Sequence, residues 1–91
     1  GLGATGAGEA FGKPYGLPNR TAYGETCAAV ANLLWNHRLF LLTGEAKYMD
    51  VFERVLYNGF LAGVSLSGDR FYYVNRLETD GKNNEGWPVE R

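Results

Sequence analysis

The carboxyl, thiol and imidazole groups of the first forty positions are Glu9, Glu25, Cys27 and His37. Cys27 is the one cysteine of the chain and His37 its one histidine. Glu25 and Cys27 are two residues apart in the triplet Glu25-Thr26-Cys27, where a polar loop gives way to an apolar helical pattern. Carboxylate and thiolate are both zinc ligands, and near a helix start the two can converge on a metal. A helix N-terminus also favours anionic groups. The packing alternative has Glu25 complementing the helix dipole and Cys27 as a small buried apolar residue. Two donors are half of the four that a closed zinc site needs. Glu9 lies in a glycine-rich loop with Phe11 and Tyr15. A carboxyl beside aromatics is suited to act as a general acid; the alternative is an exposed loop glutamate. His37 falls three turns beyond Cys27 and reads as a packing or hydrogen-bonding histidine. Tyr72, Tyr73 and Trp87 are candidates to line a sugar subsite, or else core aromatics. The glycine run is no phosphate loop, because no Gly-Lys-Ser/Thr follows it.

These groups need elements to hold them. Residues 1–20 are rich in glycine and contain Pro14 and Pro18, so they read as a long ordered loop. From Thr21 to Thr43 the pattern is helical, with Cys27, Val30, Ala31, Leu34, Leu41 and Leu42 forming an apolar stripe. Asn19 or Thr21 would cap its start, and Gly44 would end it as a left-handed stop. A second helical pattern runs from Glu45 to about Val64, with Tyr48, Val51, Phe52, Val55, Leu56 and Phe60 on one side. A break this short makes an antiparallel hairpin of helices spanning residues 21–66. Arg70 to Leu77 is rich in aromatic and β-branched residues and predicts a strand region over 69–78. Its partner is either short and local or outside the chain, since one strand cannot stand alone. Residues 79–91 read as a polar turn, with Asp80-Gly81 as its signal, and an extended tail. The expected fold class is mainly α.

A length of 91 residues allows one small domain at most. At 45% hydrophobic and 21% charged, the chain has an ordinary globular composition. A net charge of −1 offers no basic field for nucleic acid and no polybasic patch for an anionic membrane. No stretch reaches the roughly 18 apolar residues of a membrane span, and the first residues lack the charged and apolar regions of a signal peptide. Two Trp, six Tyr and five Phe are a large aromatic load for so little interior. That load suggests a piece of a larger protein, with apolar faces meant for neighbours.

Gly8-Glu9-Ala10-Phe11, Leu17-Pro18-Asn19, Glu25-Thr26-Cys27, Glu53-Arg54 with Leu56-Tyr57-Asn58-Gly59, and Phe71-Tyr72-Tyr73-Val74-Asn75 occur together in this order. In this combination the chain resembles glycoside hydrolase family 127, the bacterial β-L-arabinofuranosidases and their relatives, over nearly its whole length. The resemblance implies a slice of an (α/α)6 barrel carrying one helix pair and a β insertion at the barrel mouth. It implies a zinc-dependent retaining glycosidase that hydrolyses terminal β-L-arabinofuranosides, with L-arabinofuranoside-containing glycans and the remainder of the barrel as partners. It assigns Glu9 as general acid/base, Glu25 and Cys27 as two Zn²⁺ ligands, and Tyr73 to the sugar site. The family's other ligands are an adjacent Cys-Cys pair, one of which is the nucleophile. No such pair occurs in these 91 residues, so the chain alone is expected to be inactive. Arg76 stands where relatives commonly carry proline. Two alternatives remain open: a related glycosidase of other sugar specificity, and a non-catalytic helical interaction module.

Overall fold

The computed structural model describes residues 11–78, Gly81 and the strand 88–90. Helix α1 spans Thr26–Thr43 and helix α2 spans Ala46–Val55. The α2 path continues without a break through a π-helical turn, Leu56–Phe60, and a 3₁₀ turn, Leu61–Gly63. Strand β1, Arg70–Tyr72, pairs antiparallel with β2, Pro88–Glu90, with Phe71 opposite Val89. The described fold is thus mainly helical.

Gly44 ends α1 as its sequence position predicts. Its φ of 69° is left-handed, which glycine adopts without steric cost, and its N–H donates to the Phe40 carbonyl at 2.7 Å. The Thr43 hydroxyl adds a bond to the Leu39 carbonyl at 2.8 Å and accepts the Glu45 N–H at 3.2 Å. With two residues between them, α1 and α2 fold back on each other as an antiparallel pair.

The start of α1 differs from the expectation. The helix begins at Thr26 rather than Thr21, and Glu25, not Asn19 or Thr21, occupies the cap position. The preceding residues form a separate turn, in which the Ala22 N–H donates to the Pro18 carbonyl at 2.9 Å. The buried face of α1 differs too. Leu33, Thr26 and Asn36 are buried, with Ala29 and Phe40 half-buried on the same side. The stripe read from sequence points elsewhere: Leu34, Leu41 and Leu42 are exposed, and so is Trp35. The reason is that α1 is apolar on nearly every side, so apolar spacing cannot select the face that meets α2. Polar Asn36 lies inside because its amide is satisfied, donating to the Asn32 backbone carbonyl at 2.9 Å and side-chain oxygen at 2.6 Å. On α2 the reading holds better: Tyr48, Phe52, Val55, Leu56 and Phe60 are half-buried, whereas Val51 is exposed.

Gly59 sits where the π turn passes α1. A Cβ there would stand 3.4 Å from Val55 and 3.5 Å from the Ala29 methyl, ordinary van der Waals distances, so the turn packs directly against α1. The buried apolar core among the described residues is Ala22, Leu33 and Val74, and none of them is completely enclosed. Most of the apolar surface of α1 has no cover from the described part of the chain.

Candidate active-site corner

The corner is built at the N-terminal end of α1. Glu25 is extended, with φ −71° and ψ 130°, and its backbone pairs as a single antiparallel bridge with Val74. Two bonds flank that bridge: the Asn75 N–H donates to the Gly24 carbonyl at 2.8 Å, and the Thr26 N–H donates to the Tyr73 carbonyl at 2.9 Å. The second satisfies one of the four amide donors that every helix start leaves unpaired. The Thr26 hydroxyl donates to the Tyr72 carbonyl at 2.5 Å. Residues 73–75 therefore leave the β1–β2 pair and dock on the helix start, with the Tyr72 carbonyl at the join. This is why β1 is three residues long although the strand pattern extends further.

The Glu25 side chain makes no capping bond to its own helix. Its carboxylate instead meets the Cys27 thiol and the Tyr73 hydroxyl, and these two donors hold it below the usual carboxylate range. The thiol is pushed up, first by partial burial and then by the Glu25 hydrogen bond and charge. The Tyr73 hydroxyl is driven well above the ordinary phenol range, chiefly by its hydrogen bond to Glu25 and then by that carboxylate's charge. At neutral pH the corner holds a carboxylate, a thiol and a phenol. Cys27 is exposed, which overturns the alternative of a buried apolar cysteine. Glu25 lies outside the first helical turn, where no acidic residue stands, so its side chain is committed to Cys27 and Tyr73 rather than to a helical cap.

Three of the four residues singled out as site residues, Glu25, Cys27 and Tyr73, thus meet at one point. Glu9 lies outside the described residues. His37 is exposed on α1, its ring 6.2 Å from the Phe52 ring and away from the corner. Arg76 donates to the Arg20 carbonyl at 3.1 Å and so ties the corner to the preceding loop.

The donor set suits half of a zinc site. A carboxylate at the cap position and an accessible thiol two residues on lie side by side, and both are ordinary zinc ligands. No cluster of three or more His, Cys, Asp or Glu side chains suited to a metal occurs among the described residues. Beside Cys27 and Tyr73 lies a cleft of about 600 Å³, walled by Val30, Phe60, Val64 and Phe71, with Asp69 and Arg70 at its edge.

Sequence reasoning missed the residues that build the corner. Gly24 is one: a Cβ there would lie 2.8 Å from the Asn75 carbonyl oxygen. Gly63 is another: buried, its missing side chain would come 3.1 Å from the Thr26 hydroxyl. Gly24 was visible as an isolated glycine directly before the Glu-Thr-Cys triplet, but nothing local signalled a partner near residue 75. Among the described residues, no helix is long and apolar enough to cross a membrane.

Residues 2–90 match the family described as β-L-arabinofuranosidase, GH127 catalytic domain. A non-reducing end β-L-arabinofuranosidase of Bifidobacterium longum subsp. longum is 48% identical over 85 residues, covering 91% of this chain and 13% of the relative. A solved structure titled as a GH127 β-arabinofuranosidase superposes with a TM-score of 0.83 at 60% identity, over 91% of this chain and 13% of that one. Another, titled glycoside hydrolase, gives 0.76 at 43% identity over 89% and 14%. The chain therefore spans about an eighth of the length of the relatives it matches.

Proposed function

This chain belongs to the GH127 β-L-arabinofuranosidase catalytic-domain family, and from that premise we propose that it is a segment of a zinc-dependent retaining glycosidase acting on terminal β-L-arabinofuranosides. The segment is one helix pair of an (α/α)6 barrel with the β insertion at its mouth. The observation that carries the reading is the meeting of Glu25, Cys27 and Tyr73 at the start of α1.

In this reading Glu25 and Cys27 are two of the ligands that hold Zn²⁺. When bound, the metal supplies the positive charge that keeps sulfur donors as thiolates near neutral pH. Tyr73 orients the Glu25 carboxylate through its hydroxyl and borders the sugar site. Glu9 protonates the leaving oxygen and then takes a proton from the incoming water. The nucleophile is a thiolate from outside these 91 residues, which places the reaction apart from the two-carboxylate scheme.

The test uses the complete polypeptide. It should release p-nitrophenol from p-nitrophenyl β-L-arabinofuranoside faster than from other aryl glycosides, with one zinc per molecule. Glu9→Gln should lower kcat by at least about 100-fold, the usual scale for a general acid/base. Zinc-free protein with full activity would overturn the reading.

A further inference from the structure

We propose that Thr26, the middle residue of the Glu-Thr-Cys triplet, is the positioning residue that holds Tyr73 beside Glu25, through its hydroxyl bond to the Tyr72 carbonyl and its amide bond to the Tyr73 carbonyl.

One residue takes two successive carbonyls of the docked segment. The amide bond is available to any residue at the first helical position except proline. The hydroxyl bond is specific to threonine or serine. Thr26 is 5% exposed, so its hydroxyl would be costly to leave unpaired. The space around the hydroxyl is closed: Gly63 lies against it, where a side chain would come within 3.1 Å. The Asn75 amide bond to the Gly24 carbonyl fixes the far side of the same junction. The chain between them, Tyr73 and Val74, has little freedom left, and Tyr73 faces Glu25 and Cys27 as a result. In the triplet the outer residues are the donors toward the metal, and the middle one sets where their shared neighbour stands.

The inference rests on the proposed function for its zinc readout but not for its geometry. In the complete polypeptide, Thr26→Val keeps the shape and removes the hydroxyl, while Thr26→Ser keeps the hydroxyl and removes the methyl. Zinc affinity, measured by competition with a chelating dye, should fall about 10- to 100-fold for Thr26→Val, the scale seen when a ligand loses its outer-shell partner. It should stay within about 3-fold of the parent for Thr26→Ser, as a hydroxyl role requires. A folded Thr26→Val protein with unchanged affinity overturns the inference. So does a Thr26→Ser protein that loses affinity, which decides the matter even where Thr26→Val does not fold. A second arm needs no metal. In apo protein, Tyr73→Phe should lower the unfolding midpoint in the parent background and have no further effect beside Thr26→Ala. Equal effects in both backgrounds overturn the inference. If the unsubstituted protein binds no zinc, the proposed function fails while this arm still decides the role of Thr26.

Discussion

The carbonyl oxygen of Asn75 lies 2.8 Å from the point where a Cβ on Gly24 would stand, while the Asn75 amide bonds the Gly24 carbonyl. The two backbones approach so closely that only glycine fits. Gly24→Ala is therefore expected to force the junction apart and cost about 1–3 kcal/mol, the range for such backbone-limited positions. Urea unfolding of the complete polypeptide measures it. A midpoint unchanged by the substitution would show that residues 72–75 yield easily.

The isolated 91-residue chain should show no glycosidase activity on p-nitrophenyl β-L-arabinofuranoside. It carries one cysteine, which the proposed function uses as a zinc ligand, and a retaining reaction needs a nucleophile. Turnover above the uncatalysed rate, abolished by Glu9→Gln, would contradict this.

Zinc binding to that isolated chain should be weak, with a dissociation constant of about micromolar or above, because Glu25 and Cys27 are two of four tetrahedral donors. Cys27→Ser should abolish what binding there is. One-to-one binding at nanomolar concentration, measured against a chelating dye, would speak for a complete site within the chain.

Leu34, Trp35, Leu41 and Leu42 are 57–81% exposed on α1. An apolar face of that kind marks an interface or drives association. Light scattering on the 91-residue chain should give a molar mass well above the monomer, and thermal unfolding should be broad. A monomer with a sharp, reversible transition would favour an independent helical module.

Asp69 closes the turn between the 3₁₀ segment and β1, accepting hydrogen bonds from the Ser67 and Ser65 hydroxyls. The Ser67 bond is the main reason its pKa lies below the ordinary 3.8. A lowered folded-state pKa means a contribution to stability that is present above the unfolded pKa and lost as pH falls through the folded one. Carboxyl carbon shifts of the complete polypeptide should place the Asp69 midpoint below 3.8. Ser67→Ala should move it back up.

Much of the helical hairpin was legible because its punctuation is local. Gly44 announces itself, and the apolar side of α2 stands out against Lys47, Asp50 and Glu53. The orientation of α1 was not legible, because a helix apolar on almost every side gives periodicity nothing to choose between. Its inward face includes Thr26 and Asn36, whose burial depends on bonds that only the folded chain reveals. The tail at Pro88–Glu90 read only as extended, and it is the short partner within the chain that was one of the two options for β1; the choice was not legible because pairing across a polar stretch leaves no trace in either segment. At the site, the Glu-Thr-Cys triplet brought Glu25 and Cys27 together in sequence, and a separate motif pointed to Tyr73. Their meeting depends on the Val74 bridge, a long-range contact with no sequence signature of its own.

The two-residue connection at Gly44 and Glu45 has a consequence for where the molecule tolerates change. Because α1 and α2 run in opposite directions, the helix start, the π turn, the 3₁₀ turn and the docked strand all gather at one pole. The connection lies at the other, about 27 Å away for an 18-residue helix rising 1.5 Å per residue. Insertions at that far pole, such as an affinity tag placed by an engineer, enter a region remote from the corner. Lengthening Gly24–Thr26 or Tyr72–Asn75 by a single residue would shift every donor of the corner at once.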